Sequence, residues 1–469
     1  MNLKKTLIAA AISTTPLFTA SSFAADNIDL LITDATILTM NADKTVYESG
    51  TVAINGNKII AVGDKSLADK YQADTTLDVD GDIVMPGLIN THTHVSMTVF
   101  RSLADDVPDR LHRYIFPLES KLVSRDMVRI GANLGNVEML KGGVTTYADM
   151  YYFEDEVAKT VDKIGMRAIL GETVIKFPVA DAKNAQEGIN YALNFIEEYK
   201  DHPRITPAFA PHAPYTNTTE VLQQVAQLSK EKDVPVLIHL AESSREAEKI
   251  AERSDGKSPV QYMHDIGALN SHLVGAHMIL VDDKDIELVK ESDMGVAHNM
   301  SANIKSAKGV SPALKMYDEG VRIGLGTDGP MSGNNLSTIA EFGQVAKVHK
   351  LINHDRAAMP PVKVIDMATM GAARALHMED KIGSLEVGKL ADIIVIDTKA
   401  ANMVPVYNPY SALVYSAYPT NVRHAIVDGK ILMEDKKVLT VDEDKIREEA
   451  LKFTDVVRKT IIDSGEIVQ

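Results

Sequence analysis

The 469-residue chain has no Cys and no Trp, and only 5% of its residues are aromatic. Without Cys there is no disulfide, no thiolate nucleophile, no Cys-ligated zinc and no lipidated N-terminal Cys. Cations are outnumbered as well, with 49 Lys+Arg against 65 Asp+Glu and a formal net charge of −16. That balance argues against a nucleic-acid or anionic-membrane partner, which needs a basic face. After the first 24 residues no stretch approaches 18 uninterrupted apolar residues, so no membrane span is expected. What is present is a globular composition, 45% hydrophobic and 24% charged.

Residues 1–24 differ in kind. Lys4 and Lys5 precede an apolar stretch from Leu7 to Phe18, and Ser22-Phe23-Ala24 sets small residues before Ala25. This is the pattern of a cleaved secretory signal peptide, so a periplasmic product with no membrane attachment is expected.

Short strands and turns fill residues 25–84, with Asn55-Gly56-Asn57 as a hairpin turn, and the same texture returns over 385–440 around Asp428-Gly429. The economical reading is one small β-sandwich domain built from both chain ends. Residues 441–469 carry an amphipathic helix, read over Asp442–Asp463, that either packs on the barrel or a neighbouring subunit or stands as a solvated terminal helix. Between them, residues 85–384 alternate apolar runs with helical stretches. The runs are Ile83–His94, Val144–Met150, Arg167–Val174, Ile205–His212, Pro235–Glu242, Leu273–Leu280, Gly295–Asn299 and Val321–Asp328. Eight βα repeats give an α/β chain with a (β/α)8 TIM-type barrel. A doubly wound sheet is the competitor, without a GxGxxG or phosphate-loop motif to support it.

Chemistry in such a barrel sits where strands end. These runs end at or beside His92 and His94, Asp149, Glu172, His212, His239 with Glu242, His277, His298 and Asp328. Residues i and i+2 of a strand share a face, so His92 and His94 converge on one point. His239 taken alone reads equally as a core histidine, and Asp328 as a turn or helix-capping Asp. Together three imidazoles and one carboxylate describe an open metal site with a position left for water.

These segments resemble the amidohydrolase superfamily over nearly the whole mature chain. The carriers include Pro86-Gly-Leu-Ile-Asn-Thr-His-Thr-His94, His212-Ala-Pro-Tyr-Thr216, His239-Leu-Ala-Glu242, Gly275-Ala-His277, Gly326-Thr-Asp-Gly329 and the closing Ile382-Gly-Ser-Leu-Glu-Val-Gly-Lys-Leu-Ala-Asp392. The nearest branch holds the 5-methylthioadenosine/S-adenosylhomocysteine deaminases and triazine hydrolases. The resemblance implies that His92, His94, His239 and Asp328 hold a divalent metal, with Glu242, His277 and Asp328 catalytic. The fourth run ends without a bridging Lys or Glu, so one metal is expected: zinc first, iron(II) second. It further implies hydrolytic deamination of an amino-substituted N-heterocycle or nucleoside, in a homo-oligomer. A triazine-type or cyclic-amide hydrolase with the same site is the alternative, and a non-catalytic scaffold the remote one. Glu119 and His212 match positions that contact a nucleoside. Arg110 stands where the family places a purine-packing Trp, and Glu172 where it often places an Arg for a substrate carboxylate. Both departures count against S-adenosylhomocysteine.

Overall fold

The computed structural model describes residues 26–107 and 110–463; the signal-peptide expectation at 1–24 falls outside them. Strands from both chain ends hydrogen-bond into one nine-stranded sheet. Its N-terminal members are Asp26–Leu38, Val46–Asn55, Lys58–Asp64, Tyr71–Asp78 and Ile83–Pro86. Its C-terminal members are Ile393–Ile396, Val422–Val427, Lys430–Glu434 and Lys437–Val438. The seam between the two ends is the antiparallel pair Ile83–Pro86 with Ile393–Ile396. Ile32, Ile37, Val52, Ile54, Val84, Ile393 and Ile426 build an apolar core on this sheet. The turn after Val46–Asn55 bends at Gly56, whose φ of 58° suits glycine.

The second sheet is the eight-stranded parallel barrel. Its strands, first to eighth, are Leu88–Thr93, Val144–Tyr151, Arg167–Val174, Ile205–Pro211, Val236–Leu240, Leu273–His277, Gly295–His298 and Arg322–Leu325. Backbone N–H groups of Thr327 and Asp328 donate to the His92 carbonyl (3.2 and 3.0 Å), joining the last strand's end to the first. Small and branched side chains fill the interior, among them Ile89, Ala148, Ile169, Ala208, Leu237, Val274 and Ala297. Helices such as Arg125–Lys141, Thr219–Lys232 and Asp283–Glu291 cover the outside, each started by a Ser, Thr or Asp cap.

One expected strand is two. The run 83–94 breaks at Gly87, so that Ile83–Pro86 joins the nine-stranded sheet and Leu88–Thr93 the barrel. A Cβ on Gly87 would lie 2.1 Å from Thr145 Oγ1, which is why glycine makes the crossing. Arg167, at the start of the third barrel strand, locks the two sheets together. It is buried, donates to Asp392 through Nε (2.8 Å) and Nη2 (3.2 Å), and reaches Asp428 (3.2 Å). The helix Glu443–Asp463 packs on Arg125–Lys141, burying Ile446, Ala450, Val457 and Ile461. Ion pairs Arg129–Glu449 (2.9 Å) and Lys141–Glu443 (2.7 Å) edge that contact.

Candidate active site

The barrel strands end around a cavity of about 570 Å³. His94, His212, His239, Glu242, His277 and Asp328 line it, and His92 lies just beneath, 3% exposed. One ligand atom from each of His92, His94, His239 and Asp328 falls within 4.8 Å of the others.

Neighbouring backbone sets the orientation of these rings. His94 Nδ1–H donates to the Met150 carbonyl (2.6 Å) and His239 Nδ1–H to the His212 carbonyl (2.7 Å). Both Nε2 atoms are thereby turned inward as lone-pair donors, only 3.2 Å apart. His92 Nε2 is buried and makes no hydrogen bond among the described residues. Lone pairs facing at that distance repel unless a cation lies between them, so the donor set fits a divalent metal. Burial drives His92 down to about 4, while pairing with Asp328 at 3.3 Å outweighs burial and raises His94 to about 9, so a metal bound here would displace the His94 Nε2 proton. Despite burial, contacts from His92 and His94 keep Asp328 well below the usual carboxylate range.

Asp328 reaches this point through tight backbone. Asn90 adds to the backbone bond to His92, sharing the Thr327 N–H (3.1 Å) and donating to Thr327 Oγ1 (2.8 Å). A Cβ on Gly326 would fall 2.2 Å from Asn299 Oδ1 and 3.0 Å from His92 N, so only glycine lets the eighth strand come this close. Asp328 and His277 both hold left-handed backbone, φ 60° and 78°. Such conformations cost about 1–3 kcal/mol each and cluster where function fixes a side chain.

His277 Nδ1–H donates to Asn303 Oδ1 (2.8 Å), aiming Nε2 between Glu242 (3.7 Å) and Asp328 (4.0 Å). Burial raises Glu242, but His277 and the Lys308 ammonium outweigh it and leave it below its ordinary value. Glu119 lines the cavity too, accepting from the Tyr151 hydroxyl (2.8 Å), and burial lifts it to about 7. Burial lowers His212 to about 4. Arg110 also faces the cavity, 3.4 Å from Asp105.

Glu172 departs from the expected arrangement. It is fully buried outside the cavity, where its Oε2 accepts from Glu154 N (2.9 Å) and its carboxyl lies beside Asp181. Side chains alternate along a strand, so Ile169 faces the barrel interior and Thr173 the cavity, while Glu172 points outward. It therefore offers nothing to a substrate carboxylate, attractive or repulsive. Asn303, Lys305, Lys308, Tyr151 and Thr173 escaped the sequence reading. Four of them lack any motif, and for Thr173 the two-residue period was the available signal.

Residues 83–432 match the amidohydrolase family model. The chain is 43% identical over 423 residues to a 5-methylthioadenosine/S-adenosylhomocysteine deaminase of Syntrophobacter fumaroxidans, covering 90% of this chain and 96% of that one. It is 39% identical to a 5'-deoxyadenosine deaminase of Methanosarcina mazei, over 90% of this chain and 97% of that one. A zinc-bound adenosine deaminase structure from Xanthomonas campestris superposes with a TM-score of 0.91 at 32% identity, covering 93% of this chain and all of that one. Sequence match, fold and strand-end residues coincide: the chain belongs to the amidohydrolase family.

Proposed function

We propose that this protein is a metal-dependent hydrolase that removes the amino group from the base of an adenosine-type nucleoside, using one zinc ion. The observation that carries the reading is the convergence of His92, His94, His239 and Asp328 with Glu242 and His277 on one cavity. The names of the relatives support the substrate class. A cavity of about 570 Å³ suits a nucleoside.

His92, His94, His239 and Asp328 would hold the metal. When bound, it supplies a Lewis acid and brings the pKa of a water towards ~7. Glu242, ionised beside Lys308, takes one proton from the attacking water and delivers it to the ring nitrogen beside the amino-bearing carbon, which draws electron density from that carbon. His277, its Nδ1–H donated to Asn303, orients that water through Nε2. Asp328 takes the second proton of the attacking oxygen and passes it to the departing ammonia as the C–N bond breaks. Proton transfer of this kind contributes about 10²–10⁴-fold. Glu119 and His212 face the remaining volume and meet the ribose hydroxyls. With Glu172 outside the cavity, one of the two objections to S-adenosylhomocysteine falls.

The test is ammonia release from adenosine, 5'-deoxyadenosine, 5-methylthioadenosine, S-adenosylhomocysteine, guanine and an aminotriazine. Turnover of the adenosine compounds supports the reading; release of a different leaving group from the triazine alone refutes it. Residues 1–24 support export to the periplasm; the test is mass spectrometry of that fraction, in which the mature protein is expected to begin at Ala25. A homo-oligomer is proposed with it, and light scattering reads the mass.

A further inference from the structure

We infer that Lys308 is a positioning residue for Glu242, holding the proton-transfer carboxylate from the segment that follows the seventh barrel strand, two strands round from its own. This rests on the deaminase reading for its consequence in catalysis, but the contact itself does not. Glu242 follows the fifth barrel strand, and its backbone N–H is tied to Glu246 Oε2 (2.8 Å). Its side chain extends past the strand end, and its carboxylate pairs with the Lys308 ammonium. Lys308 is exposed, but its backbone is anchored. Its backbone N–H donates to the Asn303 carbonyl (3.1 Å), and Asn303 is the residue whose side chain orients His277. At the near end of the same segment, Lys305 grips Asp105 and Asn334 at 2.7 Å each, on loops after the first and eighth strands. Residues 303–308 thus fix both proton-handling groups, one from each end of a short strap.

Among the described residues, the groups around Glu242 include Lys308, His277, Asp328, His212, Tyr215 and Glu246, with Arg245 lining the same cavity. Burial raises Glu246 to about 8, against the backbone N–H groups of Ala241 and Glu242 that its two oxygens accept. Lys308 is the only lysine among these groups. Losing its charge therefore leaves Glu242 more easily protonated and less firmly aimed.

The test compares zinc-loaded wild type with Lys308→Met and Lys308→Arg. Infrared difference titration against the corresponding Glu242→Gln forms reads the Glu242 carboxyl directly, without turnover. Lys308→Met should move that titration up by about one pH unit, and Lys308→Arg should restore it. In kinetics, Lys308→Met should lower kcat about tenfold with little change in KM, and shift the acid limb of kcat/KM upward. An unmoved titration in Lys308→Met, or no rescue by Lys308→Arg, overturns the inference. A moved titration in a protein that deaminates nothing on the panel leaves Lys308 in its role and removes the deaminase reading instead.

Discussion

Glu172 makes the sharpest thermodynamic prediction. Oε1 of Glu172 and Oδ1 of Asp181 receive no hydrogen bond among the described residues, although both are buried. A proton shared between the two carboxyls satisfies both atoms. Burial and the neighbouring Asp181 push Glu172 well above its ordinary 4.5. The folded chain then holds a proton that the unfolded chain releases above pH ~4.5, so the unfolded state binds fewer protons and stability falls as pH rises. Each retained proton costs about 1.4 kcal/mol per pH unit until the pair ionises. Glutamine at this position keeps the acceptor for Glu154 N and supplies its own donor to Asp181, so the proton is no longer needed. Glu172→Gln should therefore gain on wild type as pH rises above ~4.5, by about 1.4 kcal/mol per pH unit for as long as the pair keeps its proton. Urea unfolding followed by far-UV circular dichroism measures this, since the chain has no Trp for fluorescence. Because Glu172 stays clear of the cavity, kcat/KM should stay within about twofold of wild type. Parallel stability curves for variant and wild type would refute the shared proton, and a large loss of activity would refute the outward placement.

Glu242→Gln should retain the metal, by elemental analysis, while kcat falls about 10²–10⁴-fold. Arg167→Met leaves Asp392 as a buried charge, with Asp428 half-buried beside it, at the joint between the sheets, and should cost about 3–5 kcal/mol in urea unfolding. Chelation should abolish turnover. Restoring zinc at a hundredfold excess over its Kd should return turnover together with about 2.7 kcal/mol of stability.

The barrel was legible because each strand is a compact apolar run ending in polar residues, and eight such runs occur in order. Tyr71–Asp78 was not, because five of its eight residues are exposed and its pairing is with the remote Asp26–Leu38. The seam at Gly87 was hidden for a different reason: both sheets ask for the same apolar residues, and only the partner strands distinguish them. In the site, the metal-binding histidines and Asp328 stood out, since ligand chemistry restricts residue type. Glu172 was misplaced because position at a strand end says nothing about which face the side chain takes. Lys308 could not be singled out among 49 basic residues, for its role comes from loop geometry.

The seam between the two chain ends also sets a timetable. Ile83–Pro86 leaves the ribosome early, yet its antiparallel partner Ile393–Ile396 follows about 300 residues later, which at 5–20 residues per second is on the order of 15–60 s. Throughout that interval the nascent sheet carries a bare apolar edge, the kind of surface that recruits foreign strands. The strands that come first are therefore among the last to be secured, and a chaperone or slow, guarded release has its clearest target there.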